Sequence, residues 1–140
     1  MSFVLPLCIM VFINIFLTYR LLFLAGRFIK NRDISLSQFQ LYEGEFPDKL
    51  YSARYQFQNM FEVPILFYLL CILHMNLNIF TMVDIYLAWG FVFFRFIHFL
   101  VRLQNQRNLN IKPRTLTFVL SLICLTVGWI SFLVNFILIR

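Results

Sequence analysis

Hydrophobic residues form four long runs along the chain, and the segments between the runs carry most of the charge. The runs cover about residues 2–25, 55–77, 85–103 and 116–139, with a more polar stretch at about 26–54. A helix that crosses a bilayer needs about 20 mostly apolar residues, and each run is close to this length. The pattern therefore predicts an all-α integral membrane protein, in which residues 1–140 form one four-helix bundle.

The composition leads to the same fold class. Hydrophobic residues make up 61% of the 140-residue chain and charged residues 13%, whereas soluble domains have about half and about a quarter. A globule of this size leaves much of its surface exposed, so it could not hide this apolar excess from water. The first run lacks the basic start and the small-residue cleavage site of a secretory signal peptide, so we expect a retained helix.

The distribution of Lys and Arg predicts the orientation in the membrane. The segment HMNLNIFTMVD, between the second and third runs, contains neither residue. The other two connecting segments are basic: the first contains Arg27, Lys30, Arg32, Lys49 and Arg54, and the second contains Arg107, Lys112 and Arg114. Basic loops stay on the cytoplasmic side, so we expect both termini to lie outside. The long first loop is either a solvated linker or a lid over a site.

The net charge and the cysteines argue against two classes of function. Most of the basic residues behind the charge of +6 lie between the apolar runs, and there is no glycine-rich phosphate loop or RNA-binding motif, so we expect no nucleic-acid partner. Cys8, Cys71 and Cys124 lie far apart in apolar runs without CxxC spacing. This spacing argues against a disulfide framework and a metal site, and we expect the thiols to pack as small hydrophobic groups.

Two pairs of polar residues interrupt the apolar runs near the predicted cytoplasmic side. Asn59 and Glu62 lie about 6 and 10 Å inside the start of the second run, at 1.5 Å per residue. His98 and Arg95 lie about 7 and 12 Å inside the end of the third run. Because the depths match, we expect Glu62 to face Arg95 and Asn59 to face His98, on neighbouring antiparallel helices. Buried ionisable groups of this kind face protein or water rather than lipid.

Further cations gather at the same leaflet, and they have two interpretations. They are Arg20, Arg54, Arg102, Arg107 and Arg114. One buried carboxylate cannot neutralise them all, so the inner mouth of the bundle should attract anions. Alternatively, the arginines extend to lipid phosphates and the Glu62–Arg95 pair only holds the helices together.

The remaining polar residues of the runs suggest structural roles. We expect His74 and Asp84 to lie at the outer membrane interface. Asn14 and Asn135 should form hydrogen bonds between helices.

Three segments resemble the MAPEG family, the membrane-associated proteins in eicosanoid and glutathione metabolism. They are NMFEVPILFY, RFIHFLVRL and NQRN followed by KPR. The combination of N-x-x-E-x-P with R-x-x-H carries the resemblance, which extends over nearly the whole chain. It implies a homotrimer of four-helix subunits, with one glutathione between neighbouring subunits near the cytoplasmic leaflet. The sequence looks nearer the bacterial members, which implies the bacterial inner membrane.

The resemblance also implies roles for individual residues. Asn59 and Glu62 would contact the glutathione peptide, with Glu62 toward its amino group, and Arg95 and His98 would lie beside it. Arg114 corresponds to the arginine that opens the fourth helix. Arginines lower the pKa of a thiol by favouring its charged form, so Arg95, Arg102 and Arg114 are the catalytic candidates. The electrophile would be a lipophilic small molecule that arrives from the membrane.

Three departures from the family pattern leave the function open. Arg54, a further candidate for binding glutathione, stands five residues before Asn59 instead of four. Arg102 replaces a tyrosine of several members, and Phe118 replaces an aromatic hydroxyl. The chain is therefore either a glutathione transferase or peroxidase, or a non-catalytic protein that binds a lipid or anionic metabolite or acts as a scaffold. A proton-coupled exporter fits less well, because the first run has no carboxylate.

Overall fold

Four long helices form the fold. The computed structural model describes residues 3–35, 37, 46–104 and 111–139. The helices are α1 (Val4–Lys30), α2 (Asp48–Leu77), α3 (Met82–Gln104) and α4 (Ile111–Ile139), and there is no strand within these described segments. All four are long and apolar enough to cross a membrane. The protein is therefore an integral membrane protein with a four-helix architecture, as the apolar runs predicted.

Three helices extend beyond the apolar runs at the end where the basic residues gather, among them α4, which begins at Ile111. Helix α1 continues to Lys30, and α2 already begins at Asp48. The acidic Asp48 in the first turn of α2 and the basic Arg27 and Lys30 in the last turn of α1 interact favourably with the helix dipoles. Hydropathy detects only the apolar part of a helix, so the sequence pattern did not predict these polar turns.

The helices pack mainly as two antiparallel pairs. The largest contacts are between α3 and α4 and between α1 and α2, while α2 and α3 touch over a narrower area. Large side chains fill the core between the pairs, and the rings of Phe67 on α2 and Phe91 on α3 stack at 4.4 Å. Asn14 of α1 donates to the hydroxyl of Tyr68 at 2.8 Å, which confirms the interhelical role expected for this amide.

A short turn joins α2 to α3 at the end of the bundle away from the basic residues. Asn78 ends α2 in the left-handed conformation, with φ of 54°, which is a common way to stop a helix. At the start of α3, the Asp84 carboxylate accepts hydrogen bonds from the backbone N–H of Thr81 at 2.6 Å and from its hydroxyl at 2.8 Å. These contacts satisfy a backbone donor that the helix start leaves without a partner.

Two predictions concern residues that the structure does not describe. One is the interpretation of the first loop as a linker or a lid, which includes residues 36 and 38–45, and the other is the placement of Arg107. Both stay predictions.

Candidate functional site

The rotation of α2 about its axis decides which of its polar residues can reach α3. Its buried positions recur every three or four residues and include Gln56, Met60 and Phe67. Glu62 follows Met60 by two residues, which is about 200° around the helix. The Glu62 side chain is accordingly exposed on the opposite face of α2, whereas Asn59 is half-buried at the edge of the packed face.

Arg95 is the most deeply buried polar residue near this face, with 0% of its surface exposed. Its Nη1 donates long hydrogen bonds to the backbone oxygen of Asn59 at 3.5 Å and to its side-chain Oδ1 at 3.4 Å. Its guanidinium carbon lies 5.0 Å from the ring centre of Phe118 and 5.6 Å from that of Phe91. The predicted Glu62–Arg95 pair is therefore wrong within the subunit, because Glu62 points outward and Asn59 is the partner.

His98 also has a different partner from the predicted one. Its Nδ1 lies 3.0 Å from the backbone oxygen of Arg114 and 3.3 Å from the Thr117 hydroxyl, both on α4. A carbonyl oxygen can only accept, so Nδ1 carries the proton, and Nε2 of the neutral ring is an acceptor. The predicted contact between Asn59 and His98 is thus wrong, because the imidazole turns toward α4.

Several polar atoms of this region are buried and have no hydrogen-bond partner among the described residues. They are Nε and Nη2 of Arg95 and Nε2 of His98. Buried polar groups are nearly always paired in native proteins, and an unpaired one needs an explanation. Here two donors of a cation and one acceptor lie on neighbouring turns of α3, an arrangement that suits a polar ligand with an anionic group.

Gln56 connects three helices beside these residues, and the sequence interpretation missed it. Its Oε1 accepts a hydrogen bond from Arg20 of α1 at 2.6 Å, and its Nε2 donates to the backbone oxygen of Phe99 on α3 at 3.2 Å. Close by, Arg102 donates to the backbone oxygen of Tyr55 at 3.3 Å. Gln56 precedes Asn59 by three residues, so its place on nearly the same face was the available signal.

The charges of this region have one dominant sign. The positive charges of Arg95, Arg102 and Arg114 all act on the His98 ring, and Arg102 and Arg114 act on each other. Arg95 and Arg102 donate only to uncharged oxygen atoms within the described residues. Two buried cations whose donors reach only uncharged oxygen atoms attract anions.

The structure thus brings together most of the predicted site residues. Asn59, Arg95, His98, Arg102 and Arg114 surround one region between α2, α3 and α4.

Two other predicted residues lie on different faces of α2. Glu62 is on the outer surface of the subunit. Arg54 is half-buried beside Tyr51, and it is about 140° around the helix from Asn59, five residues away.

The sequence of the chain matches a known family. The model of the MAPEG family matches residues 3–134, nearly the whole chain. The chain belongs to the MAPEG family. Comparisons with curated proteins and with solved structures give no match. MAPEG membership supports a membrane glutathione-related role, as transferase or peroxidase or in a related capacity, at the level of the family.

The departures from the MAPEG pattern have structural consequences. Phe118, which stands where an aromatic hydroxyl is expected, covers the guanidinium group of Arg95 with its ring. Arg102, which stands where several members have a tyrosine, reaches across to the α2 backbone. Both side chains therefore take part in the contacts of α3 with its neighbouring helices.

Proposed function

We propose that this MAPEG protein is a glutathione-dependent transferase or peroxidase that acts on lipophilic electrophiles at the cytoplasmic leaflet. The observation that carries the proposal is the buried Arg95, whose Nε and Nη2 have no partner among the described residues. Arg95 and His98 occupy the R-x-x-H motif, next to Asn59 of the N-x-x-E-x-P motif. Glutathione offers two carboxylates, which an arginine binds through paired hydrogen bonds.

The chemistry that glutathione supplies is a nucleophilic sulfur. In this proposal Arg95, Arg102 and Arg114 stabilise that sulfur as a thiolate, because nearby positive charges favour the ionised form of a thiol. Nε2 of His98, which is buried without a partner among the described residues, would accept a hydrogen bond from the bound peptide. The apolar helices around the site restrict water and let a lipophilic electrophile arrive from the bilayer.

The position of Glu62 supports a site between subunits. Its carboxylate is exposed on a membrane-spanning helix, and a charge that faces lipid is costly. A neighbouring subunit in a homotrimer would remove this cost, and the amino group of glutathione would give the carboxylate a partner. We therefore propose that Glu62 of one subunit and the arginines of another hold the ligand together.

The arrangement of charge supports the proposed orientation. Arg27 and Lys30 end α1, Lys49 begins α2, and Lys112 begins α4, all at the end of the bundle where Arg102 lies. Basic residues favour the cytoplasmic side, so the termini of the chain would face outward. The bacterial inner membrane is the proposed location.

Titration of the detergent-purified protein with reduced glutathione tests the proposal. We expect a rise in Tm together with an increase in the far-ultraviolet absorbance of thiolate. S-methylglutathione, which has no thiol, should raise Tm without the absorbance change. Substitution Arg95→Lys should reduce both signals, whereas Arg27→Lys, at an exposed position at the end of α1, should change neither. No rise in Tm at millimolar glutathione would overturn the proposal.

A non-catalytic binding protein is the second candidate, and the Phe118 contact favours it. The ring covers Arg95 where a hydroxyl would otherwise be available to a thiol. The same titration distinguishes the two functions. A binding protein would gain thermal stability from glutathione, or from an anionic lipid, without any increase in thiolate absorbance.

A further inference from the structure

A second buried polar group lies at the opposite end of α2 and α3. His74 and Asp84, which the sequence places near the outer membrane boundary, are 1% and 2% exposed, so the helix bundle buries both side chains. Helix α4 covers them, and the amide of its Asn135 reaches Oδ2 of Asp84 at 3.5 Å, which confirms the interhelical role expected for Asn135. The motif residues at the other end of the bundle play no part in this group.

The two carboxylate oxygens of Asp84 have different surroundings. Oδ2 accepts from the backbone and the hydroxyl of Thr81 and from Asn135. Oδ1 is buried and has no hydrogen-bond partner among the described residues. Leaving a buried acceptor without a partner costs about 1–3 kcal/mol, and more when the group is charged. This difference between the two oxygen atoms indicates that Oδ1 is bound by something other than the described residues.

His74 is held so that one ring nitrogen is already used. Nδ1 donates to the backbone oxygen of Ile79 in the α2–α3 turn. The ring stacks on Phe3 at 4.8 Å and meets the edge of Phe132 at 5.1 Å. Nε2 of the neutral ring is then an acceptor. His74 and Asp84 lie on opposite sides of the α2–α3 turn, and no direct hydrogen bond or ion pair joins these two described residues.

Both side chains line a small cavity. Its free volume is about 10 Å³, which is about what one water molecule needs. Among its lining residues are His74, Asp84, Ala88, Cys124 and Gly128. The cavity therefore borders α2, α3 and α4 at once. No group of three His, Cys, Asp or Glu side chains in the described part of the chain could hold a metal ion.

We propose that this cavity binds one water molecule, which donates hydrogen bonds to Oδ1 of Asp84 and to Nε2 of His74. Both atoms are acceptors, and water is the smallest molecule that can donate to two acceptors at once. The Ser131 hydroxyl, which also interacts with Asp84, supplies a further polar neighbour from α4. The water would link α2 to α3 beneath the outer turn. This inference does not depend on the proposed glutathione chemistry.

Direct observation is the first test. A structure of the full-length protein, at a resolution that resolves water, should show one density peak about 2.7–3.0 Å from Oδ1 of Asp84. The same peak should lie within hydrogen-bond distance of His74. A dry cavity would overturn the proposal, and so would a direct contact between Asp84 and His74 that closes it.

Substitution of Ala88 provides a second test, independent of resolution. Ala88→Val and Ala88→Thr add nearly the same volume to the cavity, so any overpacking is the same in both. The threonine hydroxyl can replace the water as a donor to Asp84, whereas valine would leave Oδ1 without a partner. We expect Tm of the threonine variant to be higher by about 5 °C.

The matched control uses Ala53, which is also buried but lies away from the cavity. At Ala53 the valine variant should be at least as stable as the threonine variant. If valine is equal to or better than threonine at Ala88 as well, a donor in the cavity does not stabilise Asp84 and the proposal is wrong. A threonine advantage of the same size at both positions would also contradict it.

Discussion

The guanidinium group of Arg95 on α3 donates to the side chain of Asn59 on α2 across 3.4 Å. The rings of Phe91 and Phe118 lie 5.6 and 5.0 Å from its central carbon. An amide and two ring faces compensate a buried cation only in part, since no described carboxylate is paired with it. A bound anion would complete this compensation.

Replacing Arg95 with methionine removes a buried charge but keeps a long side chain. We expect the free energy of unfolding without ligand to stay the same or to rise by about 1–2 kcal/mol, because an incompletely paired buried ion is costly. The stabilisation by glutathione should disappear. Thermal unfolding in detergent, with and without glutathione, measures both effects. A large drop in Tm with glutathione stabilisation intact would instead identify Arg95 as a structural clamp.

Gln56→Leu should destabilise the helix bundle. The substitution leaves Arg20 and the backbone oxygen of Phe99 without their partner, and the expected loss is about 1–3 kcal/mol in the free energy of unfolding. The matched control is Gln58→Leu on the same helix, where the side chain is exposed and the change should be small. Equal Tm values for the two variants would show that the Gln56 hydrogen bonds contribute little.

Glu62→Gln should affect assembly and ligand binding more than the fold of the subunit. The carboxylate is exposed on the outer face of α2, so its loss removes no contact within the subunit. Native mass spectrometry should show a smaller trimer fraction, and the glutathione titration should give weaker binding. Asn76→Ser, exposed near the end of α2, serves as the control. Unchanged assembly and unchanged binding in Glu62→Gln would remove Glu62 from the proposed site.

Phe118→Tyr should restore a hydroxyl near Arg95 while keeping the aromatic ring. If the protein is an enzyme, we expect thiolate absorbance at saturating glutathione to rise, because the hydroxyl can donate a hydrogen bond to the sulfur. The ring contact is retained, so Tm without ligand should change by less than about 2 °C. Absorbance that does not respond, with binding intact, would favour the non-catalytic candidate.

The outer polar group shows where sequence reasoning was limited. His74 and Asp84 lie near the ends of apolar runs, and this position alone indicates an interface. The structure buries both, because Phe3 stacks on His74 and α4 brings Asn135 to Asp84. The covering residues come from the two ends of the chain, so no local pattern could reveal them.

The sequence by itself determined the four membrane spans, the family motifs and the excess of cations at one end of the bundle. It also determined how deep each residue of a span lies in the membrane, since the rise per residue of a helix is constant. The contact of Arg102 with Tyr55 confirms that the start of the second run and the end of the third lie at the same level.

Only the tertiary structure decided which of the residues at the same depth in the membrane contact each other. Asn59 and Glu62 are three residues apart, yet one reaches Arg95 and the other faces away from the subunit. The rotation of α2 determines this difference, and that rotation depends on how Met60 and Phe67 pack against the other helices. Hydropathy and rise are properties of a single segment, whereas rotation depends on the shapes of all the helices that pack together.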